Sequence, residues 1–451
     1  MKQVHRRALL LLLLIGLLAG GTVLFCHRYT TQGADWAAFS ANEHAYTDGR
    51  LSSGQVLDRS GTLLYDAAED VYSSDDALRR ATLHAVGDGD GNIATSARAA
   101  FRSALVGFHP LTGTTGGGSK VYLTVDAELN LTALQALNGR KGTVAVYNYH
   151  TGEVLCMVSA PTFDPADPPA IRDGDSRYEG VYLNRCLSAA YTPGSVFKIV
   201  TTAAALERLS GVQQRTFTCE GRLQVGDDVI TCPTGHGTMD LTDAFAVSCN
   251  CVYAQLALEL GGETLQQYAQ SGGLLSAQSV SGIETAAGSF VIGTEGDLAW
   301  SGVGQYDTLV NPCAMMTLMG AIADGGSAAQ PRLLLRQTTM SGLPTASYGK
   351  TATGGTWSAS TCTKLRQMMA NNVAATYGQA QFGDLAVCAK SGTAEVGSGQ
   401  PHAWFTGFVD DPTCPLAFVV VAEHGGSGAD TAGSIAATVL QQAAKLLKDT
   451  E

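Results

Sequence analysis

The chain has 451 residues, 45% of them hydrophobic and 15% charged, which describes a globular protein long enough for more than one domain. Its formal net charge of -12 argues against a nucleic-acid partner, or any anionic polymer held by bulk charge, because such partners favour a basic patch.

The amino terminus departs from that average. Lys2, Arg6 and Arg7 precede an uncharged run from Ala8 to Phe25, followed by Cys26-His27-Arg28. A span needs roughly 20 apolar residues, and the positive flank favours a cytoplasmic amino terminus. The rival is a cleaved signal peptide with Ala19 and Gly21 at its cleavage site. The uncleaved anchor is the expectation adopted, with residues 1–29 as cytoplasmic stub and single transmembrane helix, and the rest outside the cytoplasmic membrane.

Residues 30 to 111 carry short strand-like pieces and turns, and LTGTTGGGSK (111–120) reads as a flexible joint. The expected division is a short β-rich module and linker over 30–119, then one larger domain over 120–451. VYLTVDAELNLTALQAL passes from strand alternation into a helix. GTVAVYNYHTGEVLCMVSAP (142–161) is two apolar runs around His150-Thr151-Gly152, a hairpin signal. Helical patterns fill the middle, from VFKIVTTAAALERL through LTDAFAVSCNCVYAQLALEL to PCAMMTLMGAIADGG. DLAVCAKSGTAEV, HAWFTGFVDD and PLAFVVVAEH read as three further strands, and AGSIAATVLQQAAKLLKD as a final helix. Strands at both ends of a helical middle imply one sheet that the chain leaves and re-enters, an α/β fold of the α+β type.

The 11 cysteines are odd in number and scattered. Cys219 and Cys232, bracketing EGRLQVGDDVIT, make the one plausible disulfide pair; most others read as small buried apolar residues. Zinc held by Cys219, Cys232, His236 and Cys249 is disfavoured because no CxxC knuckle is present, and no metal or cofactor is expected.

The chemistry gathers around YTPGSVFKIVT, residues 191–201. On a helix, Ser195 and Lys198 share one face one turn apart, with the serine at the amino-terminal end. A serine hydroxyl is a weak nucleophile that needs a base, and a lysine with a lowered pKa can be one. The helix amino terminus adds N–H groups and positive potential where an oxyanion forms, which suits acyl transfer. SxxK alone is a weak signal, equally met by a serine cap beside a surface lysine.

Two further elements decide the matter: Ser248-Cys249-Asn250, and Lys390-Ser391-Gly392-Thr393 at the start of a strand pattern. In this order SxxK, SxN and KSGT match the motif set of penicillin-binding proteins and serine β-lactamases. More of the chain resembles the class B penicillin-binding proteins, monofunctional peptidoglycan transpeptidases. GRLSSGQVLDRSGTLLYD (49–66) is similar to the family's entry motif, and VYLTVDAELN, YNYHTGEVLCMVSAPTFDP, LNRCLSAAYTPGSVFK, GHGTMDLTDAFAVSCN, GQYDTLVNPCAMMTLMGAIADGG and HAWFTGF follow in family order to about residue 445.

The resemblance implies a transpeptidase domain with a central antiparallel sheet flanked by helices. It implies that Ser195 is acylated by a D-Ala-D-Ala stem peptide and that Lys198 takes its proton. Ser248 relays a proton to the leaving amine, and Asn250 binds the substrate amide and holds Lys198. Lys390, Ser391, Gly392 and Thr393 read the substrate carboxylate, and the backbone N–H groups of Ser195 and Thr393 form the oxyanion hole. β-Lactam antibiotics acylate the same serine, and a SEDS-type glycosyltransferase is the implied membrane partner.

KSG replaces the commoner KTG, Tyr306-Asp307 stands where a small residue is usual, and the amino-terminal module is short. Too few residues precede the linker for a glycan-polymerising domain. The same motifs serve D,D-carboxypeptidases and β-lactamases, and a non-catalytic β-lactam sensor or divisome scaffold is the rival outside enzymes. Trp404 and Phe405 are expected in the core, Glu395 as a structural hydrogen-bond partner, His236 as a structural histidine, and Asp58-Arg59 between module and domain.

Overall fold

The computed structural model describes residues 2–37, 54–109, 113–114, 117–172, 174–397 and 399–448. Of the entry motif at 49–66, positions 49–53 lie outside the described residues, as do 111, 112, 115 and 116 of the joint.

The central sheet has five strands in the order Val387–Ala394, His402–Val409, Leu416–Ala422, Gly142–Asn148, Val154–Ala160. Every neighbouring pair is antiparallel. The chain leaves this sheet after Ala160 and re-enters it at Val387, as the strand patterns at the two ends imply.

Leu416–Ala422 is buried along its whole length. Its side chains alternate between two cores, as the two-residue period of a strand requires. Ala417, Val419 and Val421 join one cluster with Met315, Met319 and Ile322 of the helix Pro312–Ala323. Leu416, Phe418, Val420 and Ala422 join another with Leu129 and Leu137 of the helix Ala127–Leu137, and Val439 and Leu440 of the helix Gly433–Lys448. Helices on both faces explain why the segment reads as an unbroken apolar run.

A second sheet has six strands, ordered Pro344–Ser347, Leu334–Thr339, Ser119–Leu123, Gln55–Leu57, Leu63–Asp66, Val71–Tyr72. Ser119–Leu123 pairs parallel with Gln55–Leu57 and antiparallel with Leu334–Thr339. Position 119–120, where the sequence suggests a division, therefore falls inside a sheet, completed by a hairpin from 334–347.

Asp58 and Arg59 tie this sheet to the larger body. Asp58 accepts from the N–H groups of Ser60 and Thr62 through one oxygen and of Ala127 through the other. Arg59 pairs with Glu153 at 3.2 Å, and Glu153 also holds Arg332 at 2.8 Å.

The helix Lys2–Ala37 contains a segment, Gln3–Gly33, long and apolar enough to cross a membrane.

Candidate active site

Pro193-Gly194 leads into a 3-10 turn, Gly194–Phe197, and the α-helix begins only at Lys198, running to Arg208. Ser195 therefore stands one turn before the helix, not on it. The expected neighbourhood survives because residues three apart eclipse in a 3-10 turn.

Two glycines let that turn sit against its surroundings. Gly194 has φ +57°, and a Cβ there would lie 2.7 Å from the Thr393 carbonyl oxygen. Its N–H donates to Gly304 O at 2.8 Å, and Gly304 has φ +90° with room for no Cβ, which would come 2.0 Å from Gly194 O. Tyr306, nearby, is exposed and holds φ +59°.

Ser195 opens onto a cleft of about 480 Å³ shared with Ser248, Asn250, Gln305, Ser391 and Thr393. Its hydroxyl makes no hydrogen bond among the described residues.

Two lysines meet behind the serine, and both are fully buried. Lys198 Nζ donates to Ser248 O at 2.6 Å, Asn250 Oδ1 at 2.8 Å and Ser248 Oγ at 3.1 Å. Lys390 Nζ reaches the same Ser248 Oγ at 3.1 Å, and Ser391 O at 3.1 Å. Among the described residues neither ammonium pairs with a carboxylate.

Burial without a counter-charge disfavours the protonated form. It pushes Lys390 down to about 7. Lys198 is held well below the ordinary lysine value, by burial first and the adjacent Lys390 second. Both shifts favour the neutral amine, and Lys198 carries its amine beside the nucleophile's turn, hydrogen-bonded to a serine that the other lysine shares.

Ser248 holds φ +56°, a left-handed conformation that costs a non-glycine residue energy. That conformation aims both its carbonyl and its hydroxyl at Lys198. Asn250 begins the helix Asn250–Leu260, and its Nδ2 donates to Thr231 O at 2.8 Å.

Lys390, Ser391, Gly392 and Thr393 lie on Val387–Ala394, the edge strand of the central sheet. The Ser391 N–H points away from the sheet and donates to the Tyr377 hydroxyl at 3.0 Å. Residues two apart in an antiparallel strand turn their N–H and C=O the same way. The Thr393 N–H is thus turned outward too, beside the cleft that Ser195 lines. Gly392 is required here, since a Cβ would lie 2.8 Å from Pro193 O and 3.0 Å from a Val196 methyl.

Of the supporting residues outside the three motifs, Arg185, Tyr191 and Trp404 lie in stretches that follow the family order, while Tyr377 and Glu423 lie in none. Tyr377, at the end of a π-helical turn, fixes Ser391 through both its N–H and its hydroxyl. Buried Arg185 pairs with Glu423 at 2.7 Å, and Tyr191 donates to the same carboxylate at 2.8 Å, securing the approach to Ser195. Trp404 and Phe405 are fully buried, as expected, and Trp404 Nε1 donates to Thr192 O. Glu395 differs from expectation: it is exposed on the cleft rim and makes no side-chain hydrogen bond among the described residues.

The cysteines also depart from the sequence reading. Cys219 and Cys232 are both free thiols. Cys219 Sγ lies 3.5 Å from His236 Nδ1, and Cys232 Sγ lies 3.8 Å from Cys249 Sγ. The four side chains disfavoured as a metal set have donor atoms all within 4.8 Å of one another. These donors come from two short ribbons and a helix cap, not from one knuckle turn.

The penicillin binding protein transpeptidase domain matches residues 142–445, more than half of the chain. The peptidoglycan D,D-transpeptidase PbpA of Mycolicibacterium smegmatis is 30% identical over 73% of this chain and 72% of its own length. The ceftriaxone acyl-enzyme complex of penicillin-binding protein A from M. tuberculosis superposes with a TM-score of 0.78 at 22% identity, covering 87% of this chain and 98% of that one. A chain from a peptidoglycan synthase complex that coordinates polymerization and crosslinking gives a TM-score of 0.60 at 26% identity, over 72% of this chain and 63% of that one. With its serine turn, paired lysines and KSGT edge strand on one cleft, the chain belongs to the penicillin-binding protein transpeptidase family, in its class B branch.

Proposed function

We propose that this protein cross-links peptidoglycan stem peptides through an acyl-enzyme on Ser195. It is a serine-type peptidoglycan D,D-transpeptidase and a target of β-lactams. The observation that carries the roles is the convergence of two buried, unpaired lysines on Ser248 Oγ beside the Ser195 turn.

Neutral Lys198 takes the Ser195 proton as the hydroxyl attacks the carbonyl of the penultimate D-alanine. The oxyanion lies between the N–H groups of Ser195 and Thr393. Collapse breaks the peptide bond, and the proton returns through Lys198 and Ser248 to the leaving terminal D-alanine. An amine of a neighbouring stem peptide then attacks the ester carbonyl, giving up a proton to neutral Lys198, and the ester C–O bond breaks as that proton passes to Ser195 Oγ, leaving the cross-link and free Ser195. Lys390 supplies positive charge, with the Ser391 and Thr393 hydroxyls, for the terminal carboxylate; Gly392 lets the strand close on the serine turn. Asn250 orients Lys198 and receives the substrate amide. A β-lactam enters by the same attack and leaves slowly.

We assign catalysis to residues 120–448 and the membrane anchor to the helix Lys2–Ala37, with its amino terminus cytoplasmic and the catalytic body outside. A SEDS-type glycosyltransferase is the proposed partner, engaged through the anchor and the six-stranded sheet; co-purification from membranes tests it, and consistent failure to co-purify removes it.

Detergent-solubilised full chain, given a pentapeptide donor and an amine acceptor, is expected to release D-alanine together with cross-linked dimer, and Ser195→Ala to release none. D-alanine release with only shortened monomer would make the protein a D,D-carboxypeptidase. Stable β-lactam binding without either product would make it a sensor or scaffold.

A further inference from the structure

The segment 217–239 is anchored in the main core at its base, by Phe217, Cys219 and Met239, and has less apolar support beyond it. It consists of two two-stranded ribbons, Phe217–Cys219 with Gly237–Met239 and Arg222–Val225 with Asp228–Thr231. Ribbons of three or four residues are not stable by themselves. The second ribbon packs Val225 and Ile230, with half-buried Leu223, on Ala254 and Ala299. Yet this segment forms one wall of the cleft and receives the Asn250 side chain at Thr231 O.

Four donors converge where the ribbons meet the SxN turn. Cys219 ends one strand, and its register partner Gly237 follows His236. Cys232 follows Thr231, and Cys249 is the amino-terminal cap of the helix Asn250–Leu260. Cys219 and Cys249 are buried, while Cys232 and His236 are partly buried beside the cleft.

Metal–donor bonds of about 2.3 Å to sulfur and 2.0–2.1 Å to nitrogen, in a tetrahedron, place two sulfurs about 3.8 Å apart and a sulfur and a nitrogen about 3.6 Å apart. The observed separations are 3.8 Å for Cys232 to Cys249 and 3.5 Å for Cys219 to His236. Cys219 Sγ also accepts the Gly221 N–H at 3.4 Å, an outer-shell bond suited to a ligating thiolate. Cys251, 3.6 Å from Cys232, turns its thiol to Ile230 O and stands outside the set.

We infer that Cys219, Cys232, His236 and Cys249 form a structural zinc site that staples the 217–239 segment to the SxN turn. Three sulfurs and one imidazole nitrogen in a tetrahedron select a borderline-soft divalent ion, and a full protein ligand set leaves no open position for catalysis. Binding releases the thiol protons to solvent and gives three thiolate bonds and one imidazole bond to the ion; no oxidant or reductant is involved. The site acts on the reaction only by positioning: it holds Thr231, hence Asn250, and through Asn250 the Lys198 amine.

The test is the metal content of full chain, purified in detergent without chelator under reducing conditions. About one zinc per chain is expected, retained in Cys414→Ser and lost in Cys219→Ser and His236→Ala. Added Co²⁺ is expected to replace it with the sulfur-to-metal charge-transfer band and visible d–d bands of a tetrahedral thiolate site. Wild-type protein that carries no zinc and takes up neither Zn²⁺ nor Co²⁺ overturns the site without recourse to any variant. A Cys232–Cys249 disulfide in protein taken directly from cells overturns it as well. Chelation should lower both the melting temperature and the rate of penicillin acylation, at least roughly tenfold for the rate, and Zn²⁺ should restore both. Zinc that can be removed with neither quantity changing overturns the stapling role.

Discussion

The two walls of the cleft are built on different principles. The KSGT wall is a strand of a five-stranded antiparallel sheet, positioned by a regular backbone ladder with His402–Val409. The SxN wall is a single turn with a left-handed serine, closed by the Ser248 N–H on Phe245 O and the Cys249 N–H on Ala244 O and tied down by Lys198 and by Asn250 on Thr231 O, with the thiol cluster beside it. One wall gets its geometry from a strand ladder, the other from a short turn completed by side-chain bonds. Damage to the backbone fit of the strand should therefore be local and steric, and damage to the network of Lys198, Lys390, Ser248 and Asn250 chemical and pH-dependent.

The largest effect belongs to the group between the walls. Ser195→Ala should abolish covalent labelling by a fluorescent penicillin, a loss of at least about 10³-fold, with the circular dichroism spectrum unchanged. Labelling of both proteins alike would place the nucleophile elsewhere.

Lys198→Ala should come next, slowing acylation roughly 10³-fold, because it removes the base and leaves Asn250 Oδ1 and Ser248 O without their donor. Stopped-flow acylation at saturating and limiting penicillin separates a slow chemical step from weak binding.

Gly392→Ala probes the other wall by shape alone. Its methyl meets Pro193 O and Val196, so the strand must part from the serine turn, at about 1–3 kcal/mol. Acylation should fall while its pH dependence keeps the wild-type form. A change in the pH profile with the rate maximum intact would reverse the contrast between the walls.

Lys390→Met separates function from stability. Wild-type Lys390 has a folded-state pKa near 7 against about 10.4 unfolded, so the unfolded chain binds the extra proton between those values. Stability is lowest below pH 7 and rises as pH climbs toward about 10. The methionine variant should be more stable than wild type at neutral pH by a few kcal/mol, with the gap closing on the alkaline side. Because Lys390 also depresses Lys198, its loss should move the acid limb of residual acylation to higher pH. Thermal melts across pH and the acylation profile read these two effects separately.

Tyr377→Phe should give the smallest effect, a few-fold loss of acylation, since it removes one hydrogen-bond partner of Ser391 and leaves the ladder in place.

The same contrast explains what the sequence reveals. The central sheet is legible because its strands are apolar runs bounded by turns, and Trp404 is legible as core because it lies in such a run. The motif residues are legible because their chemistry depends on type and order. Tyr377 is not, because its role arises when a helix end meets an edge strand, which no local pattern encodes. The hairpin 334–347 completes a sheet begun at Gln55, a pairing across far too much chain for periodicity to register. The thiol cluster is hidden for a similar reason: its donors are brought together by two ribbons and a cap, so their spacing imitates no knuckle. The 3-10 turn at Ser195 is the mildest difference, a tightening of the expected helix start that leaves the serine and lysine on one turn.

The most direct test of the central claim is to map the adduct by peptide mass spectrometry after full chain reacts with penicillin at neutral pH. The account predicts a single acyl group on Ser195, stable through isolation, and none in Lys198→Ala under the same exposure. An adduct on Ser248, or acylation of Ser195 at an unchanged rate without Lys198, would contradict it.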